Sequence, residues 1–289
     1  MRYHFYADDT QLYITFDIDE AEIAISKMEE AVAIIRNWMT QNFLCLNDDK
    51  TEVMVIASNT AHKKLSIPHV TIGCEEICPV SNVKNLGFIF DNIMNGKKQV
   101  SLICKSAWYH LRNIGKMRKY LDRKSTEVLI HAFVSSKLDI NNCLLYGLPD
   151  SLLQRLQVVQ NTAARLVVRI PKHSHITSTL IDLHWLPIAQ RIKLKILMMV
   201  FKALNCLAPD YITNMLEYKQ KSSHALRSDD LKLLSVPRSN SVTYGDRNFR
   251  NAAPILWNLL PVSMRNCQNV DRFKKQLKTY LFHDAYDYV

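Results

Sequence analysis

The most constraining feature of this sequence is a change in its apolar periodicity near residue 95. Before this point, short segments alternate apolar and polar residues and are separated by polar turns, the pattern of antiparallel strands. One stretch within this part, residues 19–42, has helical spacing instead. After residue 95, apolar residues recur every three or four positions, as along one face of a helix. The sequence therefore predicts an α+β protein, with antiparallel hairpins and one helix followed by a mostly α-helical region.

Composition excludes several classes of protein. The chain has 289 residues, of which 48% are hydrophobic and 22% charged, so it can bury a core and is not a disordered polar tail. No apolar run approaches the roughly 20 residues that span a bilayer, and Met1–His4 lacks the apolar run of a signal peptide. Seven scattered cysteines do not form the even, closely spaced set of a secreted disulfide framework. We therefore expect an intracellular protein, nuclear or cytoplasmic, that does not bind membranes.

Charge is divided unevenly along the chain. Residues 1–60 contain four Lys and Arg against eleven Asp and Glu, a net charge of −7. Residues 61–289 contain 33 basic residues against 16 acidic ones, a net charge of +17. An acidic part beside a basic part suits a cation site next to a surface that binds a polyanion. An uneven but merely solvated surface is the alternative.

Two adjacent carboxylates, Asp8 and Asp9, interrupt an alternating segment near the start of the chain. Apolar residues alternate on both sides of them, which predicts a strand, a tight turn at residues 7–9 and a returning strand. Carboxylates at a hairpin turn can hold Mg²⁺, a hard cation that prefers oxygen ligands and is often shared with substrate phosphates. Because aspartate is also favourable turn chemistry, the pair alone does not establish a metal site.

More strands are predicted before residue 95. They cover residues 43–46, 51–56, 69–72, 77–80 and 83–91, and residues 73–76 form the turn of a second hairpin. Cys74 and Cys78 are four residues apart, but no second Cys or His pair follows at zinc-finger spacing, so we do not expect a zinc site.

Helices dominate the region after residue 95. The first carries an apolar stripe and a strongly basic remainder, which makes it a candidate to contact nucleic-acid phosphates. Its candidate contact residues are Lys97, Lys98, Lys105, Arg112, Lys116, Arg118 and Lys119. Two further helices are predicted to begin at Ser125, as N-cap, and near Asp150. Two more are predicted over residues 188–207 and 270–282. Residues 217–250 are polar and predict a loop with short strands. Trp185 and Trp257 lie in apolar segments and are predicted core residues.

Three motifs in order resemble the palm of reverse transcriptases. Tyr6-Ala7-Asp8-Asp9 resembles their catalytic hairpin. Leu46-Asn47-Asp48-Asp49-Lys50-Thr51-Glu52 is similar to the next palm motif, and Lys84-Asn85-Leu86-Gly87 with Asp91 resembles the Leu-Gly motif of the primer grip. Stretches at residues 156–165, 183–188, 244–247, 254–261 and 273–278 resemble the thumb and C-terminal region of non-LTR, LINE-type retrotransposon polyproteins in the Jockey and chicken-repeat style. The resemblance implies a partial palm over residues 1–94, a helical thumb over 95–207 and a polyprotein C-terminal region over 208–289.

The resemblance implies a role for each matching residue. Asp8 would bind the catalytic Mg²⁺ ions with support from Asp9, and Lys50 would lie near the phosphates of the incoming nucleotide as a candidate proton donor. Tyr6 and Ala7 would line the site near the primer end, and Leu86 and Gly87 would position the primer strand. The implied reaction is metal-dependent nucleotidyl transfer, and the implied partners are an RNA template and a DNA primer gripped by the basic helices.

One departure from the family pattern changes the expected activity. In these enzymes a further metal-binding aspartate and the fingers precede the catalytic hairpin, whereas only five residues precede Tyr6 here. Phosphoryl transfer depends on positioning and charge stabilisation, so we expect this chain to be an inactive fragment when it is alone. A nucleic-acid-binding module without chemistry and a non-functional product of a decayed element are the alternatives.

Overall fold

The computed structural model describes residues 1–65, 67–73, 75–219, 232–239 and 241–286. Helices make up 59% of the described residues and the strands form small antiparallel hairpins, so the predicted α+β class is confirmed. The chain divides into two compact units, residues 1–95 and residues 96–289. Within the described residues, no helix combines the length and the apolar composition needed to cross a membrane.

In its described residues, the first unit contains three two-stranded hairpins and one long helix. Strands β1 (Arg2–Tyr6) and β2 (Asp9–Tyr13) pair first, and helix α1 (Ala21–Gln41) follows, as the helical spacing of residues 19–42 predicted. The short helix α2 (Asn59–Lys64) precedes the hairpins β3 (Val70–Ile72) with β4 (Glu75–Ile77) and β5 (Asn82–Asn85) with β6 (Phe88–Asp91). A small core joins α1 to β3, where Val32 packs with Val70 and Ile72.

The predicted strands at residues 43–46 and 51–56 are wrong, because their backbones bond elsewhere. Phe43 adopts a φ of +58° and terminates α1, with the amide of Leu44 donating to the carbonyl of Met39 at 2.8 Å. This six-residue closure is a Schellman motif, which usually has glycine at the left-handed position. The later segment is extended but unpaired as a strand: Val53 accepts a hydrogen bond from Val80 and Ala57 donates one to Asn92.

Two hairpin predictions are corrected in detail. Residues 83–91 form β5, a turn and β6 rather than one strand, because Leu86 (φ +45°) and Gly87 (φ +82°) both turn the chain back. Strand β3 lies within the predicted strand 69–72, but β4 covers residues 75–77 rather than 77–80, because Ile72 already pairs with Glu75. Cys74 lies outside the described residues.

The second unit is helical, and the helices predicted from the apolar spacing are present. Its long helices are α3 (Lys97–Met117), α6 (Asp150–Val168), α8 (Ile188–Leu204), α10 (Phe249–Asn258) and α12 (Val270–Tyr286). Its shorter helices are α4 (Arg123–Ile130), α5 (Ser136–Asp139), α7 (Thr177–Asp182), α9 (Asp210–Thr213) and α11 (Val262–Arg265). A π-helical turn, His131–Ser135, joins α4 to α5. The N-cap of α4 is Asp122 rather than Ser125, since the Asp122 carboxylate accepts from the Ser125 amide at 2.8 Å.

The core of the second unit brings α8, α10 and α12 together. Phe201 and Phe273 are fully buried, and their rings stack with centroids 4.2 Å apart. Trp257 lies 5.9 Å from the Phe273 ring and is 1% exposed. Trp185 is also buried, so the prediction that both tryptophans are core residues is confirmed.

Arg247 links residues that are distant in the sequence. Its Nε donates to the carbonyl of Tyr146 at 3.2 Å, and its side chain fills the space where a Cβ on Gly147 would lie. Arg247 follows a π-helical turn, Val242–Asp246, within the predicted loop at residues 217–250. Residues 220–231 and 240 of that loop lie outside the described residues, and its described part contains the isolated bridge Tyr218–Leu234.

Candidate functional site

The two carboxylates lie at the tip of hairpin β1–β2. Tyr6 pairs with Asp9, which leaves Ala7 and Asp8 as a two-residue turn between the strands. Ala7 has a φ of +54°, and a positive φ at the first turn position is what a type II′ hairpin turn requires. Glycine normally takes this position, so the turn holds Ala7 in a conformation that is unfavourable for an L-residue. Asp8 thus lies in the turn itself and Asp9 begins the returning strand.

Both carboxylates are open to solvent. Asp8 and Asp9 are exposed, and in the described part of the chain no cationic side chain pairs with either of them. The rest of the hairpin is also uncovered, since Tyr3, Phe5, Tyr6 and Tyr13 are all about half exposed or more. An isolated two-stranded sheet is only marginally stable in water, so the hairpin relies on its contacts within the unit.

A hydrogen bond joins this hairpin to the hairpin that carries the Leu-Gly motif. The Gln11 side chain on β2 donates to the Asn85 side chain on β5 at 3.1 Å. Asn85 pairs with Phe88, so Leu86 and Gly87 form the two-residue turn next to this contact. Positive φ at both turn positions defines a type I′ turn, and the Leu86 side chain is 46% exposed there. The structure therefore connects two motifs that are separated by 74 residues.

Lys50 belongs to a short 3₁₀ turn, Asp48–Lys50, that is fixed to α1. The Asn47 side chain caps the turn by accepting from the Lys50 amide at 3.2 Å. Arg36 on α1 binds both oxygens of Asp48, at 3.1 and 2.5 Å, and this hydrogen bonding lowers the pKa of Asp48 below its ordinary value. The Lys50 side chain is exposed and forms no hydrogen bond or ion pair with Asp8 or Asp9.

The predicted Mg²⁺ site can be tested against the positions of the side chains that commonly bind metal ions. Across the described ranges, no group of three or more His, Cys, Asp or Glu side chains is arranged to hold a metal ion. At the hairpin tip, two adjacent carboxylates are present. Mg²⁺ is commonly bound by one or two carboxylates, with water and substrate phosphates completing its shell, so this donor set fits a Mg²⁺ ion that arrives with a phosphate-bearing substrate.

Helix α3 presents a line of positive charge. Its 21 residues contain five Lys and Arg and no Asp or Glu. Lys98, Lys105, Arg112 and Lys116 lie at spacings of seven, seven and four, which places them on one line of a 3.6-residue helix. All four are exposed, opposite the buried stripe formed by Val100, Ala107, Leu111 and Ile114. Lys97 is exposed at the helix start, and Lys119 lies over the Tyr120 ring at 4.7 Å.

Arg118 was predicted to contact phosphates, but the structure buries it. It is 8% exposed, and its guanidinium donates to the carbonyls of Leu166 (2.8 Å), Val167 (2.7 Å) and Leu121 (2.6 Å). The first two carbonyls belong to the last turn of α6, where backbone acceptors have no partner within the helix. Arg118 is therefore committed to capping α6 and is turned away from solvent.

A cleft between α3 and α6 contains residues that the sequence pattern did not single out. It has a volume of about 380 Å³ and is lined by Ser101, Cys104, Lys105, Trp108, Arg155 and Val158. Arg155 reaches across from α6 to donate to the Ser101 hydroxyl at 3.2 Å. Among the lining residues, Lys105 was already a candidate phosphate contact, and Trp108 follows it by three positions in the sequence. The approach of Arg155 depends on how the helices pack.

Comparison with known proteins gives no relative from which a function could be transferred. The function is therefore inferred from the hairpin tip, helix α3 and the cleft described above. No protein-family model, no curated protein and no solved structure matches this chain.

Proposed function

We propose that this chain is part of an RNA-directed DNA polymerase of a LINE-type retrotransposon, with the catalytic hairpin in its first unit and nucleic-acid-binding helices in its second. The observation that carries the proposal is the Tyr-Ala-Asp-Asp turn, with two exposed carboxylates, joined through Gln11 and Asn85 to the turn of the Leu-Gly motif. In the proposed enzyme these turns are the metal-binding tip and the primer grip of one palm.

Exposure of the hairpin tip supports metal binding by Asp8 and Asp9. Since neither carboxylate is paired with a described cationic side chain, neither must be released before it binds a metal ion. Bound Mg²⁺ would stabilise charge on the attacking and leaving oxygens of nucleotidyl transfer. Ala7, the first residue of this turn, contributes only a methyl group next to Asp8. Tyr6 and Leu86, both exposed, are the proposed contacts to the primer end.

The line of basic residues on α3 supports duplex binding. From Lys98 to Lys116 the helix rises about 27 Å, at 1.5 Å per residue. The absence of acidic residues from the helix means that no carboxylate on α3 opposes a phosphate strand. Contacts of this kind neutralise phosphates without reading sequence, so binding should be strong at low salt and independent of sequence.

Primer extension tests the proposal directly. The purified 289-residue chain is mixed with an RNA template, an annealed DNA primer, nucleotides and Mg²⁺, beside an Asp8→Asn variant and an Asp19→Asn control. Extension that is lost only in Asp8→Asn supports catalysis by this hairpin. Template–primer binding with a steep salt dependence but without product supports the nucleic-acid-binding helices and leaves nucleotidyl transfer by this chain alone unsupported. A chain that neither extends nor binds the template–primer contradicts the proposal.

Binding without chemistry is the second candidate, and the composition of α3 favours it independently of the hairpin. In this case binding is unaffected by Asp8→Asn and by removal of Mg²⁺. Millimolar Mg²⁺ should then leave the melting temperature of the chain unchanged, whereas metal binding at Asp8 and Asp9 would raise it in the parent chain and not in Asp8→Asn.

A further inference from the structure

The cleft between α3 and α6 combines a flat aromatic side chain with two cations. Trp108 is 39% exposed, and Lys105 precedes it by one helical turn. Arg155 is held at the opposite wall by its hydrogen bond to the Ser101 hydroxyl at 3.2 Å. The volume of about 380 Å³ lies at the lower end of the range of ligand pockets, roughly 300–1,000 Å³.

The floor of the cleft is neutral and apolar. Burial raises the pKa of the Cys104 thiol, with the nearby Arg155 charge opposing this shift, so the thiol stays protonated at neutral pH. Val158 contributes a further apolar wall, and none of the six lining residues is acidic. A ligand of this cleft therefore needs an apolar, flat part and negative charge beside it.

An unpaired nucleotide has both properties. Its base has a flat face that stacks on aromatic side chains, and its flanking phosphates attract Lys and Arg. Base pairs within a duplex are already stacked on each other, so their faces are not available to Trp108. The positive line of α3, which includes Lys105, continues to both sides of the cleft and can bind the adjoining strand.

We propose that this cleft binds one unpaired nucleotide of a nucleic-acid strand, with the base stacked on Trp108 and the flanking phosphates contacting Lys105 and Arg155. The proposal rests on the proposed nucleic-acid-binding function and adds a site for single-stranded nucleic acid to it. An unpaired template or primer segment next to the duplex is the corresponding substrate. An aromatic platform of this kind tolerates every base, because each base has a π face.

Two labelled oligomers of equal length separate stacking from charge. One is a short oligouridylate, and the other is an abasic ribose-phosphate strand that carries the same phosphates without bases. Fluorescence anisotropy of the full chain with each oligomer gives the two affinities. Trp108→Ala should weaken binding of the oligouridylate by about 5- to 150-fold and leave the abasic strand unchanged. Trp108→Phe keeps an aromatic face and should retain most of the affinity.

Removing a cation from the cleft should affect the two oligomers differently from removing Trp108. Lys105→Gln should weaken both oligomers alike and lower the slope of log affinity against log salt by about 0.7. Trp38→Ala, which removes an exposed indole in the first unit, and Lys137→Gln, which removes an exposed charge on α5, are matched controls that should change neither affinity.

The outcomes distinguish this proposal from the function on which it rests. Equal oligouridylate affinities for Trp108→Ala and the parent chain, with template–primer binding intact, overturn the cleft proposal alone. Loss of both oligomers in Trp108→Ala and in Trp108→Phe also overturns it, since the abasic strand cannot stack. A parent chain that binds no template–primer refutes the proposed function itself.

Discussion

Replacing Arg118 by Ala should destabilise the second unit without directly removing a nucleic-acid contact. The substitution deletes all three hydrogen bonds from the guanidinium to backbone carbonyls. Two of these carbonyls, Leu166 and Val167, lie in the last turn of α6, and Arg169 closes the same turn with a φ of +59°. The Arg169 side chain in turn donates to the Arg118 carbonyl at 2.8 Å, so the two residues stabilise one junction.

The magnitude follows from the bonds that are lost. A hydrogen bond to a charged donor contributes about 1.5–3 kcal/mol net, and removing one partner leaves the buried acceptor without compensation. The gain from no longer burying a guanidinium offsets part of the sum of three such bonds. We therefore expect Arg118→Ala to lower the free energy of unfolding by about 3–5 kcal/mol. Arg118→Lys keeps the positive charge but not the planar guanidinium, so it should lower the free energy of unfolding by an intermediate amount.

Urea unfolding followed by tryptophan fluorescence measures this loss, since Trp185 and Trp257 are buried in the same unit. Lys116→Ala, an exposed residue of α3, is the matched control and should change the free energy of unfolding by less than about 0.5 kcal/mol. Template–primer binding gives the reciprocal test, because Lys116→Ala should reduce the salt slope of binding. If Arg118→Ala weakened binding while stability stayed within about 0.5 kcal/mol of the parent chain, the capping role would be refuted.

Three further predictions concern the two units. Phe273→Ala removes a fully buried ring stacked on Phe201 and should cost about 3–5 kcal/mol in urea unfolding, whereas a loss below about 1 kcal/mol would contradict the packing. Gly147→Ala should cost about 2 kcal/mol, because the position has a φ of +69° and its new Cβ would lie 2.4 Å from an Arg247 side-chain carbon; unchanged stability would contradict it. Hydrogen bonding to Arg36 lowers the pKa of Asp48 below 3.8, so the stability this carboxylate gives is present above about pH 4 and lost as the pH falls through the lowered value. Asp48→Asn should therefore lower the melting temperature at neutral pH and flatten its fall in acid, and a parallel fall in both proteins would refute the role of the pair.

Periodicity was sufficient to predict the long helices α1, α3, α6, α8 and α12, but it gave no range for α2 or α10. The apolar stripe of α3 and the spacing of residues 19–42 both gave helices of nearly the observed extent, since such stripes must be buried along one face. The hairpin at Asp8 and Asp9 was equally visible, because alternation ends on both sides of a polar pair. Whether this hairpin serves as a polymerase site stays a prediction.

Turns with unusual backbone conformation were beyond the sequence pattern. Residues 83–91 read as one strand because Leu at a positive φ is disfavoured, and only the type I′ turn at Leu86 and Gly87 shows that the chain reverses. Phe43 was likewise predicted as a strand residue, although it ends α1 in a position that glycine usually takes. In both places backbone hydrogen bonds accompany the unfavourable φ: the closure from Leu44 to Met39 at the end of α1, and the β5–β6 pairing beside Leu86.

The sequence by itself determined the secondary-structure class, the acidic hairpin and the basic character of α3, because each follows from residue type and spacing along one element. Only the tertiary structure decided which basic residues face solvent. Arg118 follows Lys116 by two residues, yet it is buried because the end of α6 lies beside it and requires donors. The cleft was decided in the same way, since Trp108 and Arg155 come from different helices and meet only when α3 packs on α6. Contacts between distant segments have no periodicity along the chain, which is the physical reason that the sequence pattern could not reveal them.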